Sequence, residues 1–244
     1  MKNLFRFNFT KDTAVAFAAG AAMLALSLLM LPFAGDSLAD KIISFVLRDL
    51  LMIFGLGVVF VSLYAERNKD GVKAIGFTGK KTALSLLLDI VFAAALLAMF
   101  LKEGRPQGIL EAKNLYAASY ILVAGIFEMA FIYGYLRARF EKAFGIIPAI
   151  ILTAAFYSFH HAGFQPEFLH LFFVGLMYCA VYYITQNLLI VFPFFWAAGA
   201  LWDVIVSSDA GKEIKNFESF AIALVILALS AIWIFVVRRA RRAV

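Results

Sequence analysis

Eight apolar runs, each close to the length that crosses a bilayer, dominate this chain of 244 residues. They lie at about 13–34, 42–65, 82–101, 115–136, 146–163, 168–184, 188–206 and 219–237. A helix needs about 20 apolar residues to cross the hydrocarbon core. Backbone in hydrocarbon must also satisfy its own hydrogen bonds, which leaves helices and closed barrels as the possible spans. A barrel would show short segments of alternating polarity, and the runs here are long and continuous. Composition agrees. The chain is 64% hydrophobic and 16% charged, with a mean hydropathy of +0.90, whereas a soluble domain is about half apolar and a quarter charged. The expected fold is all-α: a polytopic integral membrane protein with eight transmembrane helices, forming a single membrane domain over 1–244. The first run carries no charge across 22 residues, too long for the core of a cleavable signal peptide.

The basic residues sort by loop. The N-terminus, the 66–81 loop, the 137–145 loop and the C-terminus together hold 15 Lys or Arg, and the alternate loops hold six. By the positive-inside rule both termini are expected in the cytoplasm of a multi-pass cell-membrane protein, as an even number of spans requires. The net charge of +6 is therefore topology signal, and no nucleic-acid partner is expected. Cys179 is the single cysteine, which excludes an intramolecular disulfide and a cysteine-based zinc cluster. In the 137–145 segment, Leu136, Phe140 and Phe144 recur at helical spacing and are expected to form an apolar stripe in the membrane interface.

Within the apolar runs a few polar residues stand out. Glu128 interrupts the fourth run, and an acid at a helix centre in hydrocarbon costs about 2.5–3.5 kcal/mol. It must face protein, a partner or a water-filled cavity. Function as a base or metal ligand competes with a structural hydrogen bond to a neighbouring helix. His160 and His161 close the fifth run. On a continuous helix adjacent residues point about 100° apart, so one of the pair is expected to face a given partner. His160 is the better candidate, because Thr153 and Phe156 share its stripe. His161 and His170 read as interfacial residues at helix ends. Asp203 sits in the seventh run, four residues after Gly199 and beside small residues that permit close helix approach. Arg48 and Asp49 are expected to point apart, and Asp89 to serve as a structural hydrogen-bonding partner. Tyr133, five residues after Glu128, is expected roughly 140° away on an α-helix.

The stretch 125–203 resembles the core of the CAAX-protease and bacteriocin-processing family, also called the Abi family. That core carries Glu-Glu-x-x-x-Arg, Phe-x-x-x-His and His-x-x-x-Asn/Asp motifs on separate helices. Glu128 matches the first glutamate, and Gly134, Tyr135 and Leu136 match the Gly-aromatic-Leu that follows the arginine. Phe156 and His160 match the second motif, Gly175 a glycine of the next helix, and Asp203 the last position of the third motif. Met129, Tyr133 and Gly199 replace the second glutamate, the arginine and the second histidine. The resemblance implies a core over 115–206 and an intramembrane endopeptidase that cleaves a membrane-associated peptide or protein. Glu128 and His160 would activate the attacking water, and Asp203 would add polar support. A divalent metal such as zinc, held by Glu128 and His160, is one form of such a site. Membrane lipid and an apolar or lipidated peptide are the implied partners. The replaced residues imply an altered and impaired site. The alternative is a catalytically inactive relative that binds apolar or lipidated peptides, in bacteriocin immunity or processing. A proton-coupled transporter using Glu128, Asp89 and Asp203 ranks last, because no inverted repeat is visible.

Overall fold

The computed structural model describes residues 3–33, 35–103, 111–161, 163, 165–202 and 214–242, the last three by backbone alone. Every apolar run lies on a helix, and no strand occurs among the described residues. The helices are α1 (Lys11–Met30), α2 (Leu38–Glu66), α3 (Thr82–Glu103), α4 (Ala112–Phe144), α5 (Ile146–His160), α6 (Phe168–Thr185), α7 (Leu188–Trp202) and α8 (Phe217–Arg242). The chain is thus an all-α, multi-pass membrane protein. Among the described residues, six helices have the length and hydropathy to cross a bilayer on their own. The two shorter ones are α5 and α7. The 15 residues of α5 extend only about 22 Å at 1.5 Å per residue, less than the roughly 30 Å of hydrocarbon. The expected count of eight crossings therefore rests on those two.

Three of the described helices depart from uniform α geometry. Phe45–Phe60 in α2, Glu128–Leu136 in α4 and Val191–Trp196 in α7 are π-helical. Such turns are wider, with i→i+5 hydrogen bonds, and recur at functional sites.

The chain groups into two compact units, one made of residues 1–77 and 127–184, the other of 78–126 and 185–244. In the first, α1 packs on α2, on α5 and on the C-terminal half of α4. Its buried positions Thr13, Ala16, Ala19, Gly20, Met23 and Ser27 form one helical face. A capping box between Thr10 and Thr13 starts the helix. The segment before it runs past the α4–α5 junction. Arg6 and Asn8 amides donate to the Phe144 and Ala143 carbonyls, while the Asn3 and Leu4 carbonyls accept from the Ile146 and Ile147 amides. Both helix ends thereby satisfy backbone groups that have no intrahelical partner.

The segment after Leu136 differs from expectation. Leu136 and Phe140 are fully buried, and Phe140 packs against Phe17 and Phe156 with ring centroids 5.0 and 5.6 Å apart. The stripe is core, because α1 and α5 cover it before it can reach an interface. Arg137 is likewise buried, at 2% exposure. Its Nε donates to the Tyr133 carbonyl at 2.7 Å, Nη1 to Glu141 at 2.8 Å and Nη2 to the Ile75 carbonyl at 3.3 Å. Its guanidinium lies 3.9 Å from the Tyr182 ring centroid, and Tyr183 donates to the same Glu141 oxygen at 2.9 Å. This buried cation is satisfied on every side and ties α4 to the 71–77 turn and to α6.

Two glycines set how closely helices approach α4 and α5. A Cβ on Gly57 would lie 2.7 Å from the Phe127 Cα, and one on Gly175 would lie 3.0 Å from the Ala154 Cα. Both clashes are with backbone, so no rotamer change relieves them. Arg48 and Asp49 also differ from expectation. They pair with each other, Nε to Oδ1 and Nη2 to Oδ2 both at 3.3 Å, because the long arginine side chain folds back across the angle between neighbours.

In the second unit α7 packs along α3, with Phe92 stacked on Phe195 at 4.3 Å. Asn187 caps the start of α7 by accepting from the Ile190 amide, and its amide donates to the Lys80 carbonyl at 2.9 Å. Tyr116 of α4 meets Phe217 and Phe220 of α8. Asp89 on α3 is buried, and neither carboxylate oxygen has a hydrogen-bond partner among the described residues. The expected structural hydrogen bond is thus not found among the described residues.

Candidate functional site

The site forms where α4 changes from α to π geometry and α5 ends. Glu128 is the first residue of the π segment, and every residue from Met129 to Leu136 is buried. The close approach at Gly57 fixes the backbone of Phe127, immediately before Glu128. On the facing side, α5 stops at His160. His161 leaves the helix with φ −79° and ψ 36°, its amide donates to the Ser158 carbonyl, and the Gly163 amide donates to the Phe159 carbonyl at 2.7 Å. The Ser158 hydroxyl donates to the Phe168 carbonyl at 2.6 Å and joins this end of α5 to the start of α6.

Glu128 and His160 meet across α4 and α5. His160 Nε2 lies 3.6 Å from Glu128 Oε1, with side-chain exposures of 9% and 12%. That separation exceeds a direct N–H···O hydrogen bond, which spans about 2.7–3.2 Å. It leaves His160 Nε2 buried with no hydrogen-bond partner among the described residues. His161 comes to the same place, its Nε2 3.8 Å from Glu128 Oε1. The two imidazole centroids are 3.9 Å apart. His161 Nδ1 sits 2.9 Å from the Tyr157 carbonyl.

Aromatic rings surround the cluster. Phe127 lies edge-on to His160 at 5.7 Å. Tyr157 lies edge-on to His160 and His161 at 5.7 and 4.9 Å. Tyr133 packs on Tyr157 at 5.4 Å and on Tyr178 at 5.7 Å, and its buried hydroxyl has no hydrogen-bond partner among the described residues. In the π segment five residues make roughly one full turn. Tyr133 therefore stands one turn from Glu128 on its own side of the helix, one ring removed from the imidazoles, instead of 140° away. Thr153 is buried two turns before His160, and its hydroxyl also has no partner among the described residues.

Sequence reasoning ranked His161 below His160, as an interfacial residue at a helix end. The 100° separation holds only while the helix continues, and it ends one residue earlier. Gly163, with φ +82°, was the available signal, because a glycine in that conformation commonly follows a helix end. His170 is exposed in the first turn of α6, and Met129 is fully buried. Asp203 lies outside the described residues. Gly199 lies on α7, in the second unit.

The class these features define is a polytopic helical membrane protein that holds a carboxylate and two imidazoles together among its helices. Residues 111–205 match the Rce1-like family model, described as type II CAAX prenyl endopeptidase Rce1-like. Over this segment the chain is similar to the CAAX-protease and bacteriocin-processing family, in agreement with the motif resemblance of the sequence. No curated protein and no solved structure gives a significant match.

Proposed function

We propose that the protein is an intramembrane endopeptidase that cleaves a membrane-associated apolar or lipidated peptide with water activated by Glu128 and His160. The observation that carries this reading is the 3.6 Å gap between Glu128 Oε1 and His160 Nε2 inside an aromatic enclosure. A water that bridges them meets a carboxylate and an imidazole, which together draw off its proton as its oxygen attacks the scissile carbonyl. The proton then passes to the leaving amine. The surrounding rings limit bulk water, which strengthens these polar interactions. In the family's pattern Asp203 would lend polar support to the developing oxyanion, and Gly199 stands where a donating imidazole is usual; loss of one such donor costs about 10²–10³ in rate, so turnover is expected to be slow. The donor set also fits a divalent ion such as zinc, which when bound supplies Lewis acidity and a more acidic water.

The test uses the purified chain in lipid, with prenylated and unmodified membrane peptides followed by mass spectrometry. Cleavage abolished in both Glu128→Gln and His160→Ala is the expected result. Cleavage unchanged in both would overturn the assignment. A second reading, favoured by Gly199 and Met129, is an inactive relative that binds such peptides. Saturable peptide binding without cleavage by any form would support it.

The protein is placed in the cell membrane with both termini cytoplasmic, on the strength of the 15-to-6 division of basic residues. A phosphatase reporter fused after Val244 is expected to be silent and a cytoplasmic fluorescent reporter bright. The reverse pattern would reject this topology.

A further inference from the structure

We propose that His161 is the third ligand of a divalent-metal site that it completes with Glu128 and His160. The proposal concerns the site of the reading above but has its own readout. A backbone carbonyl sets the tautomer of His161. His161 Nδ1 is 2.9 Å from the Tyr157 carbonyl oxygen. A carbonyl only accepts, so Nδ1 carries the hydrogen. In the neutral ring this leaves Nε2 as a bare lone pair, aimed at Glu128 Oε1 from 3.8 Å. A bare nitrogen and a carboxylate oxygen have no proton to share between them. His160 Nε2 adds a second nitrogen to the same space, on a side chain only 9% exposed and without a hydrogen-bond partner among the described residues. The buried His160 nitrogen calls for a cation or ordered water beside it, and the half-buried His161 nitrogen, 32% exposed, reaches the same place.

The spacing fits an ion. Ligand atoms 2.0–2.2 Å from a tetrahedral zinc lie roughly 3.3–3.5 Å from one another. The two nitrogen–oxygen separations are 3.6 and 3.8 Å, and all three donor atoms lie within 4.8 Å of one another. A small inward rotation of the side chains closes the difference. Two imidazoles and one carboxylate form a donor set used by zinc hydrolases, which keep a fourth position open for water. The hydrogen bond from Nδ1 to a backbone carbonyl is the outer contact that orients a ligating histidine. A helical His161 could not take part, so the end of α5 at His160 is what assembles the set.

The test is metal binding by the full chain, purified in detergent with a histidine-free tag and stripped by chelation. Cobalt(II) serves as the probe and zinc as its competitor. One cobalt per chain with tetrahedral d–d absorption is expected, displaced by zinc, and X-ray absorption of the zinc form should show two imidazoles. His161→Ala is expected to weaken binding by at least about 10-fold, the lower end of what even outer-shell partners contribute. His161→Gln provides a second variant of nearer size, and His170→Ala, an exposed position, should bind as the parent does. Wild-type affinity and spectrum in both His161 variants would overturn the proposal, as would a single imidazole in the absorption data or no stoichiometric metal in the parent. Peptide cleavage that resists chelation yet is lost in Glu128→Gln would reject the metal site and leave the protease reading standing.

Discussion

Two acids lie inside apolar helices, Glu128 on α4 and Asp89 on α3, and their surroundings differ. Of the most apolar stretch of α4, 56% is buried within the protein, against 17% for α3. Glu128 begins a π segment buried without interruption and has two imidazole nitrogens within 4 Å. Asp89 is also covered, yet neither oxygen has a hydrogen-bond partner among the described residues. Burial alone therefore does not make a site. What separates the two is convergence of polar groups from a second helix, and α5 supplies it only to Glu128.

The largest expected effect tests that contrast directly. Glu128→Gln keeps the shape of the side chain but removes the negative charge and its capacity to accept a proton. Cleavage is expected to fall by at least about 10², the lower end for loss of general acid–base catalysis, while thermal unfolding in detergent stays near that of the parent. Retained cleavage would put Glu128 on the same footing as Asp89.

Arg137→Met is expected to act on stability. It removes a buried cation held by two carbonyls, Glu141 and the Tyr182 face. Breaking such a network costs about 3 kcal/mol or more, read as a lower midpoint in detergent unfolding, with cleavage by the remaining folded protein reduced because Arg137 steadies the π segment through the Tyr133 carbonyl. A midpoint equal to the parent's would show that the α4–α6 junction does not depend on this residue.

Asp89→Asn should do least. With no hydrogen bond to lose among the described residues, stability is expected to change by less than about 1 kcal/mol, and cleavage should match the parent. A strong loss of cleavage would break the comparison, giving Asp89 a part in the chemistry and reviving a proton path along α3.

Much of this was legible in the residues. The length and polarity of the apolar runs determined that they are helical, because backbone in hydrocarbon has few other ways to satisfy its hydrogen bonds. Glu128 and His160 could be picked out for the same reason, since polar groups in apolar helices need a partner. Tertiary structure and local helix geometry decided the rest. Whether His161 joins the pair depends on where α5 ends, a matter of one residue that periodicity does not resolve. Where Tyr133 points depends on a switch to π geometry that the sequence pattern does not show. Leu136 and Phe140 carry the pattern of an interfacial stripe, and only α1 and α5 packing over them makes it core. Arg48 and Asp49 pair because a flexible side chain can fold back across a fixed backbone angle. Apolar length fixes how the chain crosses hydrocarbon, but which polar atoms meet depends on helix ends, turn width and neighbours far along the chain.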